Sequence, residues 1–149
     1  MLVTYKKVLV AVDGSKEAEW ALKKAIDVCK RYSAQLIITH IIDVKQFSDI
    51  RAYNLNLTDK AEEYGKELLA KYEDLANQSG IEDVKTVLEF GSPKIKISKD
   101  IAPEHHVDLI ICGATGLSAV ERFLIGSVSE SITRYSKCDV MVVRTEKDL

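Results

Sequence analysis

The stretch Lys7-Val-Leu-Val-Ala-Val-Asp13 is apolar at every position between its charged ends. A strand with one solvated face alternates apolar and polar side chains, whereas a strand covered on both faces is apolar throughout. Four further runs along the chain predict strands, the second of them more polar than the others: Gln35–Ile42, Val84–Phe90, Val107–Cys112 and Asp139–Arg144. Strands of this kind indicate a parallel sheet.

Helical spacing separates these runs. Ser15 is positioned to cap a first helix, and its apolar stripe consists of Ala18, Ala21, Leu22, Ala25, Val28 and Cys29. A second helix is predicted from Ala61 to a stop at Gly80, Ser92-Pro93 predicts the start of a short third helix, and Ser127 begins the last. This alternation predicts an α/β fold, a three-layer doubly wound sandwich, as one domain over residues 1–149.

Composition excludes several classes of protein. The net charge is −2 with a pI near 5.9, so the electrostatic footprint of a nucleic-acid-binding domain is missing. The wholly apolar runs are far shorter than the ~20 residues that span a bilayer, and no signal peptide is visible. The three cysteines include no CxxC pair, which favours reduced, buried thiols and a cytoplasmic location.

Ligands of open α/β sheets bind beyond the carboxyl ends of the strands, where the strand order reverses. Asp13, Asp43, Gly91, Gly113 and Arg144 follow strand ends and are predicted at that edge, beside a long, weakly patterned loop over residues 43–57. By the same rule, the loop histidines 105 and 106 are predicted at the opposite edge. The histidine at position 40, inside an apolar strand, is predicted to be hydrogen-bonded near the core rather than catalytic.

Two glycine turns form the most informative motif. Gly113-Ala-Thr-Gly116 follows the fourth strand, and nine residues later Gly126-Ser127-Val-Ser129 begins a helix. Glycine lets the backbone approach a ligand closely, while the free N–H groups of a helix start suit an anion. Both serine hydroxyls are predicted to add donors, so the motif favours a phosphate site. The alternative is that these glycines only shape a loop and a helix start.

The motif differs from the best-known phosphate-binding sequences. A Walker P-loop requires a lysine before its last Ser/Thr, and here Ile125 precedes Gly126-Ser127. The turn after the first strand is Asp13-Gly14-Ser15 and not GxGxxG. A receiver domain would pair Asp13 with a lysine after the fifth strand, where Arg144 stands instead.

The spacing Gly-x2-Gly-x9-Gly-Ser, together with the Val-Asp-Gly-Ser turn, resembles the nucleotide-binding class of the universal stress protein family. The resemblance covers nearly the whole chain and implies a five-stranded sheet of order 3-2-1-4-5 that binds ATP, with Mg²⁺ or Mn²⁺ carried on the phosphates and no protein metal site. It implies that the base and ribose lie against Ala11, Val12 and Asp13, with Ile41 or Ile42 covering the base. The implied ribose and phosphate contacts are Gly113, Ala114, Gly116, Gly126, Ser127, Val128 and Ser129.

The resemblance also implies a homodimer through the last strand. Val140-Met-Val-Val143 is apolar although that strand is predicted at a sheet edge, and an uncovered apolar edge invites pairing with another chain. A two-fold axis there would bring Asp139 near Arg144 of the second copy. The alternative is that residues 145–149 fold back over the edge.

Three functions remain open on the sequence alone. An ATP-dependent regulatory or stress-response module is favoured, because no histidine or cysteine is placed for nucleophilic chemistry and only Asp13 offers a general base. A slow ATPase or other adenine-nucleotide hydrolase is the second. A scaffold that binds no nucleotide is the third, and the intact glycine spacing argues against it.

Overall fold

The computed structural model describes residues 4–47, 56–115 and 125–144. Its centre is a sheet of five parallel strands in the order β3-β2-β1-β4-β5. Their bounds are β1 Lys7–Ala11, β2 Gln35–Asp43, β3 Val84–Gly91, β4 Leu109–Gly113 and β5 Asp139–Val143. The predicted doubly wound sandwich is confirmed. The predicted strands differ from the observed ones by at most two residues at either end.

Helices cover both faces of the sheet. Helices α1 (Lys16–Tyr32) and α2 (Asn56–Gln78) pack on one face and form the α1–α2 core, whose fully buried members include Val8, Val10, Leu22, Leu36 and Ile38. On the other face lie α3 (Pro93–Ile95), a π-helical stretch (Lys96–Ile101), α4 (Ala102–Glu104) and α5 (Ser127–Tyr135). They form the α5 core, which includes Leu9, Ile37, Ile41, Ile101, Ile110 and Ile132. Alternate residues of each strand therefore belong to different cores.

Helix α1 begins, and helix α2 ends, where the sequence predicts. The hydroxyl of Ser15 accepts a hydrogen bond from the Ala18 N–H at 3.1 Å, and all six residues of the predicted apolar stripe are buried. Gly80 follows α2 with a φ of +101°, the left-handed conformation that glycine adopts without a steric cost. These local signals fix α1 and the end of α2 against the α1–α2 core.

The third helix departs from the prediction of one short regular helix. Ser92 lies at its N-terminus, but the side chain makes no capping hydrogen bond, and the middle of the segment is π-helical. Pro103 has no N–H to donate to the carbonyl four residues back, and the Ala102 N–H instead bonds to the carbonyl of Ile97, five residues back. The loop predicted over residues 43–57 is also shorter, because β2 extends to Asp43 and Val44–Phe47 form a 3-10 turn. Residues 48–55 lie outside the described part.

All three cysteines are unpaired thiols, with Cys29 and Cys112 buried and Cys138 half-buried. Burial raises the pKa of Cys29 to about 12 and that of Cys112 to about 11. A thiol in the unfolded chain loses its proton near pH 8.5, while these two keep theirs in the fold. The unfolded state therefore binds fewer protons above that pH, and stability falls as the pH rises from about 8.5 toward 11.

We expect Cys29 and Cys112 to resist alkylation at pH 8 in the folded protein, because only the thiolate reacts and both thiols are buried. Cys138 should be modified first. Mass spectrometry of peptides after timed iodoacetamide treatment measures this order. Modification of Cys29 at the same rate in the folded protein and in urea would contradict the expectation.

No helix within the described residues is long and apolar enough to cross a membrane.

Candidate nucleotide site

The strand order places the switch point between β1 and β4. From β1 the chain proceeds to β2 and β3 on one side, and from β4 it proceeds to β5 on the other. The connection after β1 runs through α1 on one face, whereas the connection after β4 runs through α5 on the opposite face. A crevice between the two turns follows from this topology at the carboxyl ends of the strands.

The turn after β1 is held by hydrogen bonds on all sides. The Val12 N–H donates to the Thr39 carbonyl at 2.9 Å, and Nδ1 of His40 lies 2.8 Å from the Val12 carbonyl oxygen. Oδ1 of Asp13 accepts a hydrogen bond from the Ser15 N–H at 2.9 Å. The turn is therefore rigid before any ligand binds. His40 is half-buried and hydrogen-bonded, as predicted.

The pleat of the sheet separates residues that the resemblance grouped together. Ala11 packs with the α5 core, whereas Val12 is buried in the α1–α2 core, and Asp13 lies in the turn beyond the end of β1. Ile41 belongs to the α5 core, and Ile42 alternates with it toward the other face. Of the two isoleucines predicted to cover the base, only Ile41 is on the face of Ala11. Val12 contributes backbone shape, and its side chain points away.

Gly113 is glycine for a packing reason that the sequence did not reveal. It is buried, and a Cβ added there would lie 3.1 Å from the backbone C and O of Glu17 in the first turn of α1. The backbone of Glu17 is held within a helix, so it cannot move away from an added methyl group as the end of a flexible side chain could. The predicted close approach at Gly113 is thus to α1, and this position locks the β4 turn against the helix that follows the β1 turn.

We expect Gly113→Ala to lower the free energy of unfolding by about 1–3 kcal/mol, the usual cost of overpacking a rigid contact. Urea denaturation followed by circular dichroism measures it. An unchanged midpoint with an unchanged slope would show that α1 tolerates the extra methyl group, and would contradict the tight contact with Glu17.

Two hydrogen bonds join the glycine turns of β4 and α5. The Gly126 N–H donates to the Ala114 carbonyl at 2.6 Å, and the hydroxyl of Ser129 donates to the Gly113 carbonyl. Ser129 is 5% exposed. Its hydroxyl therefore links the two turns in this structure, and its predicted contact with a phosphate stays a prediction. The Ser127 side chain is exposed at the helix start, where its hydroxyl is accessible.

The first turn of α5 presents backbone donors. Ser127, Val128 and Ser129 are its first three residues, whose N–H groups have no acceptor within an α-helix. The first N–H bonded back along the helix is that of Glu130, which donates to the Gly126 carbonyl at 2.9 Å. Gly126 itself has φ −64° and ψ 160°, an extended conformation that other residues also adopt. Gly116 lies outside the described residues.

The remaining histidines lie at the opposite edge of the sheet, as predicted. His105 and His106 precede β4, and His105 Nδ1 lies 3.5 Å from Nζ of Lys85, near the start of β3. Within the described ranges, no three His, Cys, Asp or Glu side chains form a cluster that would hold a metal ion.

The model of the family described as universal stress protein matches residues 4–144. The chain belongs to the universal stress protein family. A universal stress protein of Staphylococcus haemolyticus is 53% identical over 146 residues, which cover 98% of this chain and 88% of the relative.

Solved structures of the family superpose closely on this chain. The universal stress protein UspA from Lactobacillus plantarum has a TM-score of 0.87 and 27% identity, over 96% of this chain and 100% of that one. A universal stress protein crystallised in complex with cAMP has a TM-score of 0.71 and 28% identity, over 97% of this chain and 100% of that one.

Proposed function

We propose that this universal stress protein is a cytoplasmic regulatory module of the stress response that binds an adenine nucleotide, ATP in the first place, in the crevice between the β1 and β4 turns. The observation that carries the proposal is the start of α5, where backbone N–H groups without helical acceptors face the end of β4. A positive helix dipole end and free N–H groups together stabilise a phosphate group.

The residues present fit the other parts of such a ligand. Ala11 and Ile41 are apolar residues on the same face of the sheet, where a base would pack, and Asp13 lies in the turn just after β1. Asp13 and its neighbours are preorganised by their hydrogen bonds, which lowers the entropic cost of binding. The relative crystallised with cAMP supports an adenine nucleotide as the ligand class.

The chain's own residues would bind and orient the nucleotide, and Mg²⁺ or Mn²⁺ would be carried on its phosphates. Oδ1 of Asp13, the candidate general base from the sequence, is engaged by the Ser15 N–H. We favour a nucleotide-dependent switch over efficient hydrolysis because the phosphate motif lacks the lysine of a Walker P-loop.

Titration calorimetry with ATP and GTP in the presence of Mg²⁺ tests the proposal. We expect binding of ATP in the micromolar range, about −8 kcal/mol. An absence of heat and of any thermal shift with both nucleotides would contradict it.

The proposal includes a homodimer through β5. This strand is at one end of the sheet, and its apolar residues Val140 and Val142 are half-buried. Asp139 accepts a hydrogen bond from the Tyr5 hydroxyl at 2.8 Å, and Arg144 is also engaged within the chain. The dimer therefore rests on pairing of the strand edges and does not require the Asp139–Arg144 pair.

A further inference from the structure

One carboxylate oxygen on β3 lacks a hydrogen-bond partner among the described residues. Oε2 of Glu89 is shielded from solvent, and no donor from residues 4–47, 56–115 or 125–144 contacts it. A buried carboxylate oxygen without a donor is unfavourable, and such groups in native proteins call for an explanation. If the carboxylate turns toward a ligand, a donor on that ligand would satisfy it.

Glu89 lies next to Ile41, the residue proposed to cover the base. In the register of β2 with β3, Ile41 pairs with Glu89. In the register of β1 with β2, Ala11 pairs with Thr39, which precedes Ile41 by two residues. Val87 packs with the α5 core, so Glu89, two residues further on, is on the same face as Ile41 and Ala11. Ala11, Ile41 and Glu89 thus form a row on one face of three neighbouring strands.

The nearby cation does not neutralise this carboxylate. The side chain of Lys96 passes Gly91 at the end of β3, but its Nζ pairs with Oδ2 of Asp100 at 3.5 Å. Pro93, in the first turn of α3, has no N–H. Glu89 is left as an acceptor at the outer end of the row.

We propose that Glu89 accepts a hydrogen bond from the exocyclic amine of the bound base and thereby selects adenine over a base with a keto oxygen at that position. The assignment rests on the proposed function. With its phosphates at the start of α5 and its ribose near β1, the nucleotide would place its base over Ile41 on β2. The amine edge of the base would then point to β3, which lies one strand spacing, about 4.8 Å, beyond β2.

The chemistry of the two bases explains the selection. The amine of adenine donates, whereas the keto oxygen of hypoxanthine at the same ring position only accepts. A carboxylate facing a keto oxygen leaves two acceptors together, and a site built for a donor rejects the analogue that lacks it.

The experiment compares ATP with inosine triphosphate, which differs at that ring position, by calorimetry in the presence of Mg²⁺. We expect the wild type to bind ATP at least about tenfold more tightly. In Glu89→Gln the ratio should fall to about one or invert, because the glutamine amide can donate to the keto oxygen. Glu82→Gln, exposed just before the other end of β3, is the matched control and should keep the wild-type ratio.

Glu89→Leu is a second variant, so the proposal can still be tested if Glu89→Gln does not fold. It should weaken ATP binding without improving that of inosine triphosphate. A wild-type preference for ATP that both Glu89 variants retain would overturn the assignment and leave the proposed function standing. A wild type that binds neither nucleotide would overturn both.

Discussion

Replacing Gly126 with valine is expected to weaken ATP binding by at least about 100-fold, or about 2.7 kcal/mol, while the protein still folds. Gly126 is the N-cap of α5, directly before the three N–H groups proposed to hold the phosphates. A branched side chain there would occupy the space through which the phosphates approach the backbone. Its φ of −64° and ψ of 160° are accessible to any residue, so the backbone itself should tolerate valine.

Ser136→Val is the matched control for this change. Ser136 is the C-cap of the same helix, with nearly the same backbone conformation (φ −72°, ψ 144°), at the opposite edge of the sheet. Calorimetry with ATP should show binding by Ser136→Val and none by Gly126→Val, and circular dichroism should show that both are folded. Wild-type affinity in a folded Gly126→Val protein would show that phosphates do not bind at this helix start.

Val142→Pro is expected to convert the proposed dimer into a monomer at micromolar concentration. The Ala114 N–H donates to the Val143 carbonyl at 2.9 Å, so Val143 directs its backbone groups to β4. By strand alternation, Val142 directs its own N–H to the outer edge of β5. Proline removes that donor and leaves the bonds between β4 and β5 in place.

Thr86→Pro in β3 serves as the control. The Leu36 N–H donates to the Asp83 carbonyl at 2.9 Å, which makes Thr86 an outward-facing position of the other edge strand. Light scattering should show a dimer for the wild type and Thr86→Pro, and a monomer for Val142→Pro. A monomeric wild type at micromolar concentration would contradict the dimer, as would a dimeric Val142→Pro protein.

The strands could be predicted because a strand that is buried on both faces has apolar residues at consecutive positions. Val8, Leu9 and Val10 are fully buried, and such consecutive burial requires a sheet covered on both sides. The strand order is a different matter. It depends on contacts between distant residues, and periodicity contains no information about them, so the order came from the resemblance.

Details of the site depended on three-dimensional neighbours. Ile41 and Ile42 are adjacent and identical in type, so the sequence does not distinguish them. Only the register of β2 shows which of them shares a face with Ala11. Gly113 is a loop glycine by sequence, but its constraint is the backbone of Glu17, 96 positions earlier. The π-helical stretch and the bond from Ser129 to Gly113 also depend on such neighbours.

The link between Ala114 and Gly126 has a consequence for how the chain can diversify. The hydrogen bond between these two residues closes the segment 115–125 at its base, and the Ser129 hydroxyl adds a second tie just behind it. When the ends of a loop are already held together, doubling its length costs only about 0.6 kcal/mol of closure entropy. Insertions between Ala114 and Gly126 are therefore expected to leave the start of α5 in place, so new recognition elements can be grafted between these two residues without rebuilding the fold.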